Sequence, residues 1–258
     1  MSERKVWLLL AGLFTVVVIG ATFTVAWVLL RPQGPAETRL ERASLAQPLE
    51  RLDFIDFEAS EISVTAAPVT ATEIVRELRW TGSVPQYTES WEGGMLRIRH
   101  NCGDSDDDVC SIGYRVRVPE GVEVRASTSS GDVRITGTTA PVTVRTVSGG
   151  VDLTGVTGKL TVETVSGSVS ASGLTVKEAT VMATSGDIEL GFAAAPDALT
   201  LRSTSGDTTV RLPAAERSPF RVSVRTVSGS QQVGVDRSQS AARFIDAEST
   251  SGDVKIGY

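Results

Sequence analysis

The sequence predicts an all-β fold, a single-chain β-helix (β-solenoid) with an irregular N-terminal β cap, preceded by one transmembrane α-helix. Three observations predict it. A Ser-Gly pair recurs seven times, with glycines Gly131, Gly149, Gly167, Gly186, Gly206, Gly229 and Gly252. Around each pair apolar and polar residues alternate with a period of two. Near the amino terminus lies a long run without a single charge, residues 6–30.

Residues 1–5 read as a cytoplasmic tail. As a helix, residues 6–30 reach about 37 Å, enough to cross a hydrocarbon core of ~30 Å with tilt. A cleaved signal peptide is the alternative, but it would have a shorter apolar stretch of roughly 7–15 residues and a small-residue cleavage site. Arg4 and Lys5 flank one end and Arg31, Arg39 and Arg42 the other, so basic residues alone do not orient the span. The chain has only two cysteines, Cys102 and Cys110. Their closeness suits an oxidising compartment, which places the carboxy-terminal domain outside the cell membrane on a single-pass anchor. Residues 31–50, with Pro32, Gly34, Pro35 and Pro48, read as a spacer.

Residues 51–120 alternate like strands but lack the Ser-Gly period, as expected of a cap that covers the first coil. Leu96 and Ile98 share one parity, and Tyr114, Val116 and Val118 another. Trp80 and Trp91 are bodies large enough to seal that coil, or else an exposed binding surface. Between the two strands, Cys102 and Cys110 close a hairpin loop whose disulfide adds about 2–3 kcal/mol on the chain-entropy model. Asp104, Asp106 and Asp108 have the alternate spacing of a calcium loop. However, Val109 stands where the sharp-turn glycine belongs, and Arg115 where the closing glutamate belongs. A solvated acidic loop is the plainer reading. His100 shares parity with Leu96 and Ile98, which makes it a strand residue rather than a general base.

Residues 121–258 are the repeats. Successive glycines are 18, 18, 19, 20, 23 and 23 residues apart, a length that suits one coil of a solenoid. Two residues after the glycine stand Val133, Val151, Val169, Ile188, Thr208, Gln231 and Val254, and four after it a wholly apolar column from Ile135 to Ile256. Seven and five residues before it run two further columns, Val124 to Ile245 and Ala126 to Ala247. These point inward, with polar residues between them pointing out. Gln231 and Thr208 interrupt their column. Each coil is therefore two short strands meeting at a Ser-Gly corner, where glycine supplies the positive φ of a tight bend. The extra residues of the longer coils fall in segments 192–198, 213–219 and 236–243, marked as loop by Pro196, Pro213 and Pro219.

Composition narrows the function. With 41% hydrophobic residues, 24 glycines and 5% aromatics, the chain is globular and rich in short strands. A formal charge of −6 with dispersed Lys and Arg offers no basic stripe, so nucleic acid is not an expected partner.

An amino-terminal apolar span, a cysteine pair before Tyr-Arg-Val-Arg-Val-Pro-Glu-Gly-Val-Glu-Val (114–124) and then repeated Ser-Gly-Asp-Val carry a family likeness. Over residues 60–258 the chain resembles the bacterial "putative adhesin" family, domain of unknown function 4097. The resemblance implies a β-helix on the bacterial cell surface. That family has no established catalytic residues, so none carries over.

Parallel β-helices also include polysaccharide-active enzymes, so Asp187 and Asp207 on neighbouring coils need weighing. A repeated turn residue explains their proximity, and no nucleophile or metal-ligand motif accompanies them. The expectation is a non-enzymatic module with no cofactor and no metal. One outward ladder, Arg145, Glu163, Arg202, Arg225 and Glu248, forms the candidate binding face. Cell-wall glycan, an envelope protein or a cationic peptide would each suit it, with envelope stress sensing as a role open to the module. The alternative is a scaffold that associates end to end, because the sequence stops within a strand at Val254–Tyr258.

Overall fold

In the computed structural model, residues 35–57, 61–101 and 109–258 are described. Seven strands precede the repeats: β1 (Glu37–Leu45), β2 (Arg51–Phe57), β3 (Ile62–Ala67), β4 (Thr72–Trp80), β5 (Gln86–Glu92), β6 (Met95–Asn101) and β7 (Cys110–Pro119). The repeats then supply two strands per coil. The first four coils are β8 (Glu123–Ser130) with β9 (Val133–Thr136), β10 (Val142–Ser148) with β11 (Val151–Thr154), β12 (Leu160–Ser166) with β13 (Val169–Leu174), and β14 (Glu178–Ser185) with β15 (Ile188–Phe192). The last three are β16 (Ala198–Ser205) with β17 (Thr208–Arg211), β18 (Arg221–Ser228) with β19 (Gln231–Val233), and β20 (Phe244–Ser251) with β21 (Val254–Gly257).

The strands stack into two sheets, one from the first strand of each coil and one from the second, joined at the Ser-Gly corners. Pairing along the repeats is parallel and keeps like positions in register: Val142 lies opposite Val124 and Leu160, and Val144 opposite Ala126 and Val162. In-register stacking sends every inward column to the same interior. Val124, Val142, Leu160, Leu199 and Ile245 are all buried, as are Ile135, Leu153, Leu190, Val210 and Ile256. The core is thus a ribbon of Val, Leu and Ile running the length of the stack, each coil covered by its neighbours.

Coils do not stack in sequence order at either end. The strand order is β1-β4-β7-β3-β9-β11-β13-β15-β17-β21-β19 in one sheet and β18-β20-β16-β14-β12-β10-β8-β2-β6-β5 in the other. The last coil in sequence, β20–β21, is inserted between β16–β17 and β18–β19. The outermost coil is the penultimate one. Connection length is the physical reason: earlier repeats are joined by three to five residues, whereas residues 212–220 and 234–243 make links of nine and ten. Those links are long enough to pass over a rung and come back. At the opposite end β2–β3 likewise sits one rung in, covered by β6–β7. The last strand in sequence, β21, therefore lies between β17 and β19, and Val254–Tyr258 leaves no open edge of the kind the sequence suggested.

The cap is built differently. β4 pairs antiparallel with β7 and with β1, and β5 pairs antiparallel with β6. Glu37–Leu45, within the stretch read as spacer, is thus an edge strand. Trp80 is buried, with the Arg39 guanidinium 5.5 Å from its ring centroid, while Trp91 packs half-buried on the core. Across the end of the core, buried Arg76 on β4 donates to Glu89 on β5 at 2.6 and 2.5 Å. The Tyr114 hydroxyl donates to the same carboxylate at 3.2 Å, and Tyr87 donates to Glu41 at 2.6 Å. Burial first, and then the charge of Glu89, push the Tyr114 phenol far above its ordinary range. Burial lowers the Arg76 pKa, but the bonds and charge of Glu89 outweigh it and hold the guanidinium above its usual value. Arg76→Ala leaves the Glu89 carboxylate without its counter-charge and should cost about 2–3 kcal/mol. Arg76→Met with Glu89→Leu should recover most of that loss. Urea melts showing equal losses for the single and double variants would contradict this arrangement.

One expectation is corrected. No helix occurs among the described residues, so none there is long and apolar enough to cross a membrane. The described fold therefore gives no support for the transmembrane helix, the membrane as partner or the single-pass localisation. The reason lies in the pattern, since the described sequence alternates with period two and builds strands throughout; residues 6–30 lie outside it. The hairpin closed by Cys102 and Cys110 falls only partly within the described residues, where Cys110 is disulfide-bonded. Cys102 and the acidic loop 104–108 lie outside them, and Cys110 Sγ is 3.9 Å from Nε2 of the buried His100.

Candidate binding groove

The corners come first, because they set the shape beside them. Gly131, Gly149, Gly186, Gly206, Gly229 and Gly252 all have φ between +107° and +143°. Dihedral freedom is only half of the requirement: a Cβ built on Gly206 would stand 2.4 Å from the Gly186 carbonyl oxygen, and one on Gly252 2.2 Å from that of Gly206. The corners are stacked backbone on backbone. Where the residue after the glycine is Asp, its side chain ties one rung to the next. Asp187 Oδ1 accepts the Asp207 N–H at 2.9 Å, Asp207 Oδ1 that of Asp253 at 2.8 Å, and Asp253 Oδ1 that of Ser230 at 2.7 Å. The bond from the Ser230 N–H holds the Asp253 carboxyl below its ordinary pKa. These aspartates are structural, and their spare lone pairs face water.

Before each corner the strand keeps its alternation for one more step. The residue three before the glycine turns in: Thr146, Thr164, Ser203 and Ser249 are buried. Those two and four before it turn out, so two parallel ridges flank a floor of strand backbone. This is a groove of about 860 Å³ running along the stack over β8, β10, β12, β14, β16, β20 and β18.

One ridge is the ladder picked out in the sequence. In spatial order it reads Ser127, Arg145, Glu163, Met182, Arg202, Glu248 and Arg225, so all five candidate residues share a single wall. Their charges pair along it: Arg145 Nε lies 3.0 Å from Glu163 Oε2, Arg202 Nε 3.3 Å from Glu248 Oε2, and Arg225 Nη1 2.9 Å from Glu248 Oε1. Arg202 also reaches Asp246 Oδ2 at 2.6 Å. The hydrogen bond from Arg145 to Glu163, with their opposite charges, holds the Arg145 pKa up. The other ridge escaped the sequence reading: Val147, Val165, Thr184, Thr204, Thr250 and Val227. Its signal was present as valines in an otherwise polar column, and Val147 and Val165 remain 53% and 46% exposed.

The groove is poorly suited to acid–base chemistry on sugars. Glu163 and Glu248 are three rungs apart, about 14 Å at the usual strand spacing. Paired glycosidase carboxylates stand about 5–5.5 or 6.5–9.5 Å apart. Each glutamate is also tied to arginine. Among the described residues no group of three or more His, Cys, Asp or Glu is placed to hold a metal ion.

A family model described as Toastrack DUF4097 matches residues 111–257, more than half of the chain. No curated protein matches. Among solved structures, the chain is similar to a "putative adhesin" from Parabacteroides distasonis ATCC 8503, at 11% identity over 86% of this chain and 98% of that one, with a TM-score of 0.45. It is also similar to a "putative adhesin" from Bacteroides fragilis NCTC 9343, at 14% identity over 87% and 98%, with a TM-score of 0.39. A "putative cell adhesion protein" from Clostridium sporogenes ATCC 15579 is similar at 9% identity over 86% and 99%, with a TM-score of 0.38.

Proposed function

We propose, for a chain that belongs to the Toastrack DUF4097 family, a role as a non-catalytic, adhesin-like binding module whose groove takes an extended glycan along the stack. The observation that carries this reading is the groove itself, with one continuous ridge crossing seven rungs and the facing one six. Its chemical step is the spacing between strands, about 4.7–4.9 Å, whereas an extended peptide advances 3.2–3.4 Å per residue and falls out of phase at once. A linked pyranose chain has a step close to the rung spacing. Arginine donors and glutamate acceptors alternate along one wall and match sugar hydroxyls, which do both jobs. The valines of the other wall suit the C–H faces of the rings. A cationic peptide fits less well, because the ladder carries three arginines against two glutamates.

The full-length chain should be retained on insoluble β-1,4-linked glycan and on isolated peptidoglycan. Its affinity for soluble β-1,4-linked N-acetylglucosamine oligomers should climb with length from two sugars to about six. Val165→Asp, on the exposed wall, should weaken this at least tenfold with an unchanged melting curve. Retention that is absent, or indifferent to Val165→Asp, refutes the groove, and release of reducing sugar refutes the non-catalytic role.

A further inference from the structure

The outermost coil, β18–β19, should present a raw sheet edge, and its sequence departs from the repeat at one telling place. Where every other coil has Val, Ile or Thr two residues after the corner glycine, this one has Gln231. With its amide turned so that both atoms are satisfied, Gln231 donates to the Val224 carbonyl at 3.2 Å and accepts the Thr226 N–H at 3.2 Å. Both groups lie on the free edge of β18. Main-chain groups of alternate residues point to alternate sides of a strand, and the side facing β20 is used by the odd residues, as the bond from Arg221 N–H to the Arg243 carbonyl shows. The edge is also occupied further back. Phe220 N–H donates to the Asp236 carbonyl and the Phe220 carbonyl accepts from Ser238 N–H, at 2.9 and 3.0 Å. Strand β19, the edge of the other sheet, is only three residues long. Short edges and self-occupied main-chain groups are what prevent one sheet from adding to another.

We infer that the β18 edge is a latent interface for a second copy of this chain, kept closed by the Gln231 amide. The edge suits its own copy. Two β18 strands related by a twofold axis at Val224 pair antiparallel, Val224 opposite Val224 and Val222 opposite Thr226, which are the residues whose main-chain groups face outward. The alternate positions then set Arg225 opposite Ser223, so no like charges meet. Beneath the edge Val222 and Val224 are only partly buried, and Val227 beside it is 86% exposed, leaving apolar surface for a partner to cover. Association stops at two, because a twofold contact uses the same patch on both copies and closes. The opposite end of the stack bears the antiparallel cap of β1, β4 and β5, which does not match it.

The test uses the full-length chain with Val224→Cys as a reporter, in the presence and absence of Gln231→Val. Expected are a 224–224 crosslink, identified by mass spectrometry of the crosslinked peptide, and a concentration-dependent dimer by sedimentation in the Gln231→Val background only. Gln231→Ala, which removes the amide without adding bulk, should do the same and stands in should Gln231→Val fail to fold. A folded Gln231 variant that stays monomeric up to high concentration, or a crosslink equally strong with Gln231 intact, overturns the inference. Polymers longer than dimers overturn the twofold register.

Discussion

Gly206→Ala should destabilise the fold by about 3–5 kcal/mol, the sum of two effects that neighbouring glycines allow to be measured apart. At Gly206 the backbone sits at φ +116° and an added Cβ would meet the Gly186 carbonyl oxygen at 2.4 Å and its carbon at 2.7 Å. Gly121 isolates the first effect. Its φ is +85° with nothing within 4 Å of a Cβ, so Gly121→Ala should cost only the conformational strain, about 1–2 kcal/mol. Gly167 isolates the second. Its φ is outside the left-handed range, yet its Cβ would lie 2.0 Å from the Gly149 oxygen. Gly167→Ala should therefore cost about 2–3 kcal/mol as overpacking against backbone that cannot step aside. Urea midpoints at unchanged slope measure all three. A Gly206→Ala loss no larger than that of Gly121→Ala would mean the corners do not touch.

Most of the architecture could be read from the chain because a stacked coil repeats its constraints. Each inward column is sampled seven times, so a single exception such as Gln231 does not hide the parity of Val133 or Val254. The corner glycines were equally plain, though sequence supplied only the dihedral reason and not the close approach of one glycine to the next. What sequence hid is long-range. The widening of the glycine spacing to 23 residues was visible, but it reads as a longer loop until the strand order shows that the chain steps over a rung. Once that is known, Gln231 becomes intelligible as the residue of an outermost coil. The Arg76–Glu89 pair joins strands from different sheets across an antiparallel cap, and no local pattern announces it. At the groove, one wall was legible as a column of charge. The other was not, because valine at an outward position looks like noise until two ridges are seen to face one channel.

Leu201→Asp should cost more than about 5 kcal/mol, enough to unfold many domains of marginal stability. Leu201 is 1% exposed, in register with Val181 on one side and Ala247 on the other, with no cation among these neighbours. A carboxylate there is kept neutral only by a raised pKa. Raising a folded-state carboxyl pKa above the unfolded value of about 3.9 penalises the folded state as pH rises past that value, so the defect should be largest at neutral pH and shrink in acid. The same column then decides the order of the rungs. If coils stacked in sequence order, Val224 would be interior and Ala247 terminal. In the observed order Ala247 is fully buried between β16 and β18, and Val224 is half-buried at the end. Ala247→Asp should therefore approach the Leu201→Asp loss, while Val224→Asp should cost about 1–2 kcal/mol, since water reaches its carboxylate. Arg145→Ala and Glu163→Ala, which break an exposed ion pair, should stay within about 1 kcal/mol of the parent. A Val224→Asp loss exceeding that of Ala247→Asp would restore sequential stacking and remove the reason for the Gln231 cap.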